Sequence, residues 1–398
     1  MKQKILFIHR YFGCFGGAEQ NILATSSSLK EHFDLSFLYS QHTGNNEEPF
    51  HKNFGASHCV DFTKDKVNTE VLEILRKENP SLIYMHKCLS IPILEAVLES
   101  KIPIARMVHD HEVYCLRGSK YFPVSRCICK RKAGLCCIFQ GLAFIQRSEN
   151  GNLRFKWPNY FKHKTLTQLD QQCHSFFVAS KYMHEELVRQ GYPSESISIL
   201  PPVPPANLET IPPPSFDKNT IIFAGQIIRG KGLDCLLHAL GSVKTEFKLK
   251  VLGSGSAQEQ CEKLVLKLNL QDKVQFLGFI PHENMASYYQ DASIGVVPSV
   301  WPEPFGAIGI EFMRHGLPVI GFDSGGISDW LKDNETGYLI PHLDIDEMGR
   351  KIEHLLTHRK EAQRLGKNAQ EFVNRHFRFE DYFTKMISKF RELILINR

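Results

Sequence analysis

The sequence predicts an α/β protein made of two doubly wound, Rossmann-like domains that face each other across a cleft. Two observations lead to this prediction. Short apolar segments alternate with amphipathic segments along the first half of the 398-residue chain, and the same alternation begins again after a proline-rich break. Continuous apolar strands that alternate with helices are typical of a parallel sheet covered by helices on both faces.

The elements of the first half follow from this alternation. The predicted strands are Ile5–Arg10, Leu35–Tyr39, Leu82–His86, Ile104–His109, Phe176–Ala179 and Ile197–Leu200. The predicted helices are Ala18–Lys30, Thr69–Glu78, Ile93–Glu99 and Tyr182–Gln190. The first apolar run is interrupted by His9 and Arg10 and is not followed by a small-residue cleavage site, so we interpret it as a strand and not as a signal peptide.

The break between the halves is Pro201-Pro202-Val203-Pro204-Pro205, followed by prolines at 212–214. Proline fixes φ and lacks an amide donor, so this composition predicts a stiff connector. The strands predicted after it are Ile221–Ala224, Leu249–Leu252, Val274–Gly278, Ile294–Val297, Val319–Phe322 and Tyr338–Ile340. The helices predicted between them are Leu233–Leu240, Gln258–Leu268, Glu283–Gln290, Ala307–Arg314 and Asp346–Leu356. Ligands of such sheets bind at the carboxyl ends of the strands, which defines the cleft.

The composition indicates the cellular compartment of the protein and the charge of its expected partner. No apolar run approaches the roughly 18 residues that span a bilayer, so we expect a cytoplasmic protein. Its eleven cysteines are then expected to be reduced. The net charge of +5 is unevenly distributed, because residues 117–164 contain eleven Lys or Arg and one Glu. A segment with charge of one sign attracts anions, so the expected partner is anionic.

The most informative motif is the nine-residue segment from Glu303 to Glu311. Pro304 is excluded from a helix interior and Gly306 lets the backbone approach a ligand, so a helix is expected to begin near Phe305. Its unpaired amides and positive dipole end then face an anion. Glu303 precedes the helix and Glu311 lies nearly two turns inside it, so the two carboxylates bracket an extended ligand. Two solvated acids on a surface helix are the alternative.

Three further motifs stand where a strand gives way to a turn. In the segment from Gly225 to Gly232 the glycines let the backbone close on a phosphate, and Lys231 supplies a compact positive charge. Gly16 and Gly17 open the first helix, where glycine permits contact with a pyrophosphate. His109 ends a predicted strand within His109-Asp110-His111. A zinc-binding His-x-His pair and a structural histidine are the alternatives there.

Together these motifs resemble those of the retaining glycosyltransferases of family 4, which have the GT-B fold. The segment 303–311 resembles the family's E-x7-E element, and 225–232 is similar to its G-R-x-x-x-x-K-G element, with Gln226 in place of the Arg. The resemblance implies that Glu303 holds the donor sugar and Glu311 grips the ribose of the nucleotide. The other residues implied at the donor are Gly16, Gly17, Gly225, Arg229 (a candidate substitute for the missing Arg), Lys231, Phe305, Gly306 and, beside the sugar, His109.

The resemblance also implies an organisation and an activity. An N-terminal acceptor-binding domain is expected at 1–203, a nucleotide-sugar-binding domain at 204–379, and a last helix, 380–398, that crosses back. The implied reaction is a retaining, metal-independent transfer of a hexosyl group from a UDP- or GDP-sugar, without a cofactor. Its catalytic residues are Glu303, Lys231 and His109, and its acceptor is a glycan or a lipid-linked molecule in polysaccharide or lipopolysaccharide synthesis. A sugar-nucleotide epimerase of the same fold and a non-catalytic homologue that binds sugar nucleotides are the alternatives.

Two features of the N-terminal half lie outside these motifs. Five cysteines are clustered, and we weigh two interpretations, a structural zinc site or reactive thiols whose pKa is lowered by nearby cations; they are Cys115, Cys127, Cys129, Cys136 and Cys137. The segment 117–164 is also rich in aromatic residues, which predicts peripheral association with the anionic inner face of the cytoplasmic membrane. A solvated basic face is the alternative, and no nucleic-acid-binding motif accompanies the charge.

Overall fold

A computed structural model describes residues 2–14, 16–64, 66–140, 142–147, 153–155, 157–203, 214–281 and 284–396. Within them the chain forms two parallel sheets covered by helices, which confirms the predicted α/β fold class. The proline-rich connector at 204–213 lies outside the described residues, as do residues 148–152 and 156 of the basic segment, the predicted helix start at Glu283, and residues 397–398. The domain limits at 203/204 and 379/380 therefore stay predictions.

The larger sheet is built by the first half of the chain. Its seven strands are parallel in the order β11-β10-β7-β6-β1-β3-β5, and two short two-stranded pairs, β2-β4 and β8-β9, lie beside it. The strands are β1 (Lys4–Ile8), β2 (Tyr11–Phe12), β3 (Asp34–Tyr39), β4 (Gln41–His42), β5 (Ala56–Cys59), β6 (Leu82–Met85), β7 (Ile104–Val108), β8 (Ile145–Arg147), β9 (Leu153–Phe155), β10 (Ser175–Val178) and β11 (Ile197–Ile199). The helices are α1 (Gly17–Leu29), α2 (Glu48–Asn53), α3 (Val67–Glu78), α4 (Ile91–Glu99), α5 (Cys136–Phe139), α6 (Tyr160–Asp170) and α7 (Lys181–Gln190).

The second sheet has six parallel strands in the order β14-β13-β12-β15-β16-β17. They are β12 (Thr220–Ala224), β13 (Lys248–Leu252), β14 (Val274–Gly278), β15 (Ile294–Val297), β16 (Val319–Phe322) and β17 (Gly337–Ile340). The helices are α8 (Leu233–Leu240), α9 (Gln258–Lys267), α10 (Met285–Gln290), α11 (Ala307–Arg314), α12 (Ile327–Trp330), α13 (Ile345–Thr357), α14 (Arg359–His376) and α15 (Phe379–Ile396).

Alternate residues of the central strands enter different cores. In β1, Leu6 and Ile8 belong to one apolar cluster and Ile5 and Phe7 to another, because successive side chains point to opposite faces of the sheet. The second of these clusters includes α15, whose Phe390 ring lies 4.9 Å from the ring of Tyr84 in β6. The last described helix is thereby packed on the N-terminal sheet.

The two sheets present the carboxyl ends of their strands to each other. His111 follows β7, and its Nε2 donates to the carbonyl oxygen of Pro302, beyond β15, at 2.8 Å. The amide of Lys181, beyond β10, donates to Asp329 Oδ2, beyond β16, at 2.6 Å. These contacts border the cleft in which parallel sheets bind their ligands. In the described part of the chain, no helix combines the length and the apolar character that a membrane span requires.

Candidate active site

The centre of the candidate site is an ion pair between two motifs that are 72 residues apart in the sequence. Lys231 Nζ lies 2.7 Å from Glu303 Oε1, and the Glu303 side chain is only 5% exposed. Burial opposes ionisation of Glu303, but the adjacent Lys231 ammonium and a hydrogen bond from the Ser299 hydroxyl keep the pKa of this carboxyl below its usual value. Lys231 also lies 5.4 Å above the ring of Trp301. Glu303 is therefore a carboxylate at neutral pH, with Lys231 partly open to solvent beside it.

The glycine-rich turn places Lys231 through backbone conformations that other residues rarely adopt. Gly232 has φ +70°, and a Cβ there would lie 1.9 Å from the carbonyl oxygen of Pro298. Gly225 has φ +141° and faces open space, since a Cβ added to it would meet no atom within 4 Å. Gln226, in the position of the family's Arg, is exposed. The turn is thus anchored at Gly232, and Gly225 is exposed although its amide donates to the carbonyl oxygen of Leu252 at 2.9 Å.

Helix α11 begins immediately after Gly306, which has φ +80° and is the N-cap residue of this helix. Phe305 is buried, and its carbonyl oxygen accepts a hydrogen bond from Trp330 Nε1 at 2.6 Å. The Phe305 ring is therefore part of the core. Further along α11, Glu311 Oε2 accepts a hydrogen bond from the Tyr289 hydroxyl at 3.1 Å. Of the two carboxylates of the motif, Glu303 thus precedes α11 and Glu311 lies in its second turn.

Arg229, predicted to replace the missing Arg, is directed across the cleft. Its Nη1 donates to the carbonyl oxygen of Pro123 in the N-terminal half. Its own carbonyl oxygen accepts a hydrogen bond from Arg126 Nη2 at 2.6 Å. In this structure the Arg229 side chain therefore joins the two halves of the chain, and its donor-binding role stays a prediction.

On the N-terminal side, the glycine pair is tied to a buried charge. The Gly16 amide donates to Glu19 Oε2 at 2.7 Å, and His9 Nε2 donates to Glu19 Oε1, also at 2.7 Å. Burial raises the pKa of the Glu19 carboxyl, but these hydrogen bonds outweigh it and lower the pKa to about 2. The Gly16 amide, predicted to face a diphosphate, is thus engaged by Glu19 here, whereas Gly17 is exposed.

Two histidines pair at the carboxyl ends of β6 and β7, and a third, His111, follows β7. His109 Nε2 lies 2.8 Å from His86 Nδ1, and burial lowers the pKa of His109 to about 3. Burial likewise lowers the pKa of His111 to about 4. His111 Nε2 donates to a carbonyl oxygen, so its Nδ1 accepts a hydrogen bond from the Tyr114 hydroxyl, at 2.6 Å. Both nitrogens of His111 are therefore occupied by protein groups, which contradicts the zinc-binding alternative for the His-x-His pair.

The cysteine cluster does not form a metal site. Cys115, Cys129 and Cys137 line one small cavity together with Arg117 and Lys120. However, nowhere in the described ranges are three or more His, Cys, Asp or Glu side chains arranged so that they could hold a metal ion. All five cysteines are described and free, so the structural zinc interpretation is not supported by their arrangement.

Three residues that position the site were not predicted. Ser299 binds Glu303 and Tyr289 binds Glu311, but neither belongs to a motif, and polar residues near strand ends are too common to be informative. His111 was weighed only as a metal ligand. Its role depends on the approach of Pro302, 191 residues later, which no local pattern reveals.

Known proteins resemble this chain in part of its sequence and in its fold. A model of the family described as "Glycosyl transferases group 1" matches residues 210–372. An uncharacterized glycosyltransferase of Methanocaldococcus jannaschii is 26% identical over 177 residues, which are 44% of this chain and 45% of that protein. The chain thus spans less than half the length of this curated relative.

Two solved structures share the architecture over the whole chain. The Anabaena protein HepE, in complex with UDP and glucose, is 15% identical with a TM-score of 0.76, covering 98% of this chain and 100% of that one. The lipopolysaccharide outer core galactosyltransferase WaaB, in its apo form, is 17% identical with a TM-score of 0.72, covering 100% of both chains. These likenesses show the fold. The chain therefore has the GT-B fold, and its residues 210–372 match the model of the glycosyl transferases group 1.

Proposed function

We propose that this protein is a retaining glycosyltransferase that transfers a sugar from a nucleotide-sugar to a glycan or lipid-linked acceptor. The observation that carries the proposal is the Lys231–Glu303 pair, held between the glycine-rich turn and the start of α11. A cation beside open backbone suits a diphosphate, and a buried carboxylate held ionised suits the hydroxyl groups of a sugar. The family match of the C-terminal domain supports the same assignment.

The charges of the site divide the reaction into distinct tasks. Negative charge grows on the nucleoside diphosphate as the bond from its phosphate oxygen to the sugar carbon breaks, and Lys231 with the positive end of α11 stabilises that charge. The acceptor oxygen bonds to the sugar carbon on the face that the phosphate leaves, and its proton passes to the departing phosphate. Glu303 orients the sugar, and no protein nucleophile takes part. We propose that this transfer needs no metal, because Lys231 and α11 supply the positive charge.

On the N-terminal side, His109 contributes a neutral group to this scheme. His109 keeps its imidazole uncharged because burial lowers its pKa to about 3. A neutral imidazole exchanges hydrogen bonds with hydroxyl groups of the sugar or the acceptor without competing for the diphosphate. We place the acceptor on this side of the cleft.

The donor and the biological context are the finer part of the proposal. HepE was solved with UDP and glucose, and WaaB is a lipopolysaccharide galactosyltransferase, so a UDP- or GDP-sugar and a role in polysaccharide or lipopolysaccharide synthesis are proposed here. The rivals are a sugar-nucleotide epimerase, which changes the sugar without an acceptor, and a homologue that binds but does not transfer.

The first experiment is a thermal-shift measurement with UDP, GDP and ADP, free and as their sugars. A ligand at 100 times its dissociation constant stabilises the folded state by about 2.7 kcal/mol, which gives a visible shift. We expect a shift with one base that is lost in Lys231→Ala and retained in Lys263→Ala, a control on the exposed face of α9. No shift with any nucleotide contradicts the proposal.

Turnover then separates the proposal from its rivals. With the selected donor and a panel of glycan acceptors, we expect a product whose anomeric configuration, read by NMR, equals that of the donor, with equal rates in EDTA and in Mg²⁺. Glu303→Gln is expected to lose transfer while keeping the fold. Conversion of the sugar without acceptor indicates the epimerase, and nucleotide binding without turnover indicates the non-catalytic homologue.

Peripheral membrane association at the cytoplasmic face is a second part of the proposal, and it depends on exposed aromatic rings. Phe139, Phe155, Trp157 and Phe161 are 69%, 76%, 71% and 75% exposed. Basic side chains of the same segment are exposed as well; they are Lys130, Arg131, Lys132, Lys162 and Lys164. Rings that enter the headgroup region beside such charges, each contributing about 1 kcal/mol near an anionic surface, favour a bilayer as the partner.

Vesicle flotation tests this association. We expect the protein to float with vesicles containing anionic phosphatidylglycerol and not with neutral phosphatidylcholine vesicles. Trp157→Ala/Phe161→Ala is expected to weaken flotation, whereas Phe279→Ala, which removes a 77% exposed ring from the C-terminal domain, is expected to leave it unchanged. Equal flotation of all three proteins contradicts the assignment of this surface.

A further inference from the structure

A short stretch of the N-terminal half reaches the phosphate-binding turn of the other domain. We call residues 123–126 the clasp; they lie between β7 and α5. Arg126 forms a two-pronged ion pair with Asp234, with Nη1 2.6 Å from Oδ2 and Nη2 3.0 Å from Oδ1. The same Nη2 donates to the carbonyl oxygen of Arg229 at 2.6 Å. One guanidinium group therefore contacts the turn before Lys231 and the first turn of α8 after it.

The clasp also receives hydrogen bonds from the C-terminal domain. The Arg229 guanidinium donates to the carbonyl oxygen of Pro123, and His342 Nε2 donates to that of Arg126 at 3.1 Å. Both ends of the clasp are thus fixed to the opposite domain. The contact is reciprocal. The Arg126 side chain donates to the carbonyl oxygen of Arg229, and the Arg229 side chain donates to the carbonyl oxygen of Pro123.

The backbone of the clasp is held in an unfavourable conformation. Arg126 has φ +62°, a left-handed conformation that is unfavourable for a residue with a Cβ. Such a conformation persists only where surrounding contacts determine it, and these residues gather at functional sites. Here the surrounding contacts are those with Asp234, Arg229 and His342. The Arg126 side chain is 12% exposed, so its ion pair is shielded from solvent on that side.

We propose that Arg126 is a positioning residue for donor binding, which holds the turn 225–232 from across the cleft so that Lys231 faces Glu303. The turn contains Gly225, Gly230 and Gly232, and glycine imposes little conformation of its own. Contacts on both sides of Lys231 therefore fix its position. The proposal rests on the proposed function for its effect on donor affinity, while the clasp itself is testable without any donor.

The first test compares amide hydrogen exchange of residues 225–235 in ligand-free protein. Loss of a charge-assisted, two-pronged pair is expected to speed exchange there about tenfold in Arg126→Ala. Arg131→Ala is the matched control, because the Arg131 side chain of the same segment binds Gln140 and lies over Phe122, both in the N-terminal half. Asp234→Asn keeps the size of its side chain and removes the charge, and it is expected to reproduce the effect.

Donor affinity provides the functional readout. With the nucleotide selected above, Arg126→Ala is expected to raise Kd about tenfold, and the exchanged pair Arg126→Asp/Asp234→Arg is expected to recover part of that loss. In turnover assays KM for the donor is expected to rise more than kcat falls. A purely structural role lowers stability without this selective change in KM.

The outcomes separate this inference from the proposed function. Unchanged exchange at 225–235 in both Arg126→Ala and Asp234→Asn overturns the clasp, whatever the activity of the protein. Faster exchange with wild-type nucleotide affinity overturns the positioning role. Faster exchange in a protein whose wild type binds no nucleotide supports the clasp and refutes the proposed function.

Discussion

Removal of the Lys231 side chain perturbs the centre of the site most directly. Its Nζ lies 2.7 Å from Glu303 Oε1, and the side chains of Lys231 and Glu303 are 24% and 5% exposed. Lys231→Ala therefore leaves a buried carboxylate without its cation. Breaking a fully buried pair in this way costs about 3–5 kcal/mol, and the partial exposure of Lys231 reduces our expectation to about 2 kcal/mol. In a domain of about 150–250 residues this corresponds to a Tm lower by about 5 °C.

The stability lost in Lys231→Ala depends on pH, and the pKa of Glu303 determines the direction of that dependence. Because Lys231 lowers the pKa of Glu303 against the effect of burial, the pair stabilises the folded protein above the unfolded pKa of glutamate, about 4.3. This stabilisation is lost as the pH falls through the lower folded value. In Lys231→Ala the pKa of Glu303 is no longer lowered. The variant's loss of unfolding free energy relative to the wild type is therefore largest at pH 7.5 and becomes smaller as the pH approaches 4.

A double-mutant cycle read by calorimetry at pH 7.5 and low salt tests this reasoning. Glu303→Gln removes the charge that requires a cation, so Lys231→Ala/Glu303→Gln is expected to regain most of the stability that Lys231→Ala loses. Lys263→Ala, in a largely exposed pair on α9, is expected to unfold like the wild type. A Tm of Lys231→Ala equal to that of the wild type, or a double variant no more stable than Lys231→Ala, refutes the buried-pair argument.

Three further perturbations test other parts of the structure. His111 has a folded pKa of about 4 against about 6.5 when unfolded, so its contribution to stability is expected to fall by about 2 kcal/mol between pH 7.5 and 5, and His111→Gln should reduce the decline by that amount in pH-dependent unfolding while the part due to His109 remains. Tyr289→Phe removes the hydrogen bond to the carboxylate of Glu311 in α11 and is expected to weaken nucleotide binding about fivefold in calorimetric titration; unchanged affinity shows that Tyr289 does not position this carboxylate for the nucleotide. Gly232→Ala brings a Cβ 1.9 Å from the carbonyl oxygen of Pro298, so urea unfolding should show a free energy of unfolding lower by about 2–3 kcal/mol. In the control Gly17→Ala the added Cβ meets no atom within 4 Å, so this variant should unfold like the wild type.

The fold was predictable wherever a strand is apolar on both faces. β12 is fully buried and reads as an uninterrupted apolar segment, so its position followed from composition. β5 was missed because this edge strand, Ala56–Cys59, alternates between partly buried and exposed residues and contains no apolar run. Helix α6 was missed because it lies in the basic segment, where charge obscured its helical pattern. Burial on both faces is what makes a strand visible in a sequence.

The sequence indicated each motif of the candidate site separately, but not the contacts between the motifs. Glycine motifs at strand ends directed attention to Lys231 and Gly306, which lie in turns where φ +70° at Gly232 and φ +80° at Gly306 admit few other residues. The sequence assigned Lys231 to a phosphate and Glu303 to a sugar. It did not reveal that the two form an ion pair, since strands β13 to β15 separate them along the chain. Which side chains form an ion pair depends on how the folded chain brings distant segments together, and the spacing of residues within a motif does not show this.

The charges on the two sides of the cleft are unequal, and this asymmetry indicates an order of events. On the N-terminal side the imidazoles of His109 and His111 are kept neutral by burial, and the nearby Lys87 is paired with Asp110 at 2.5 Å. The partly exposed Lys231 lies on the C-terminal side, at the start of a helix. Within the cleft, an anionic donor is therefore attracted first to Lys231, and the acceptor hydroxyl meets the uncharged imidazole of His109. We infer that donor binds before acceptor, and acceptor affinity that does not depend on bound nucleotide contradicts this order.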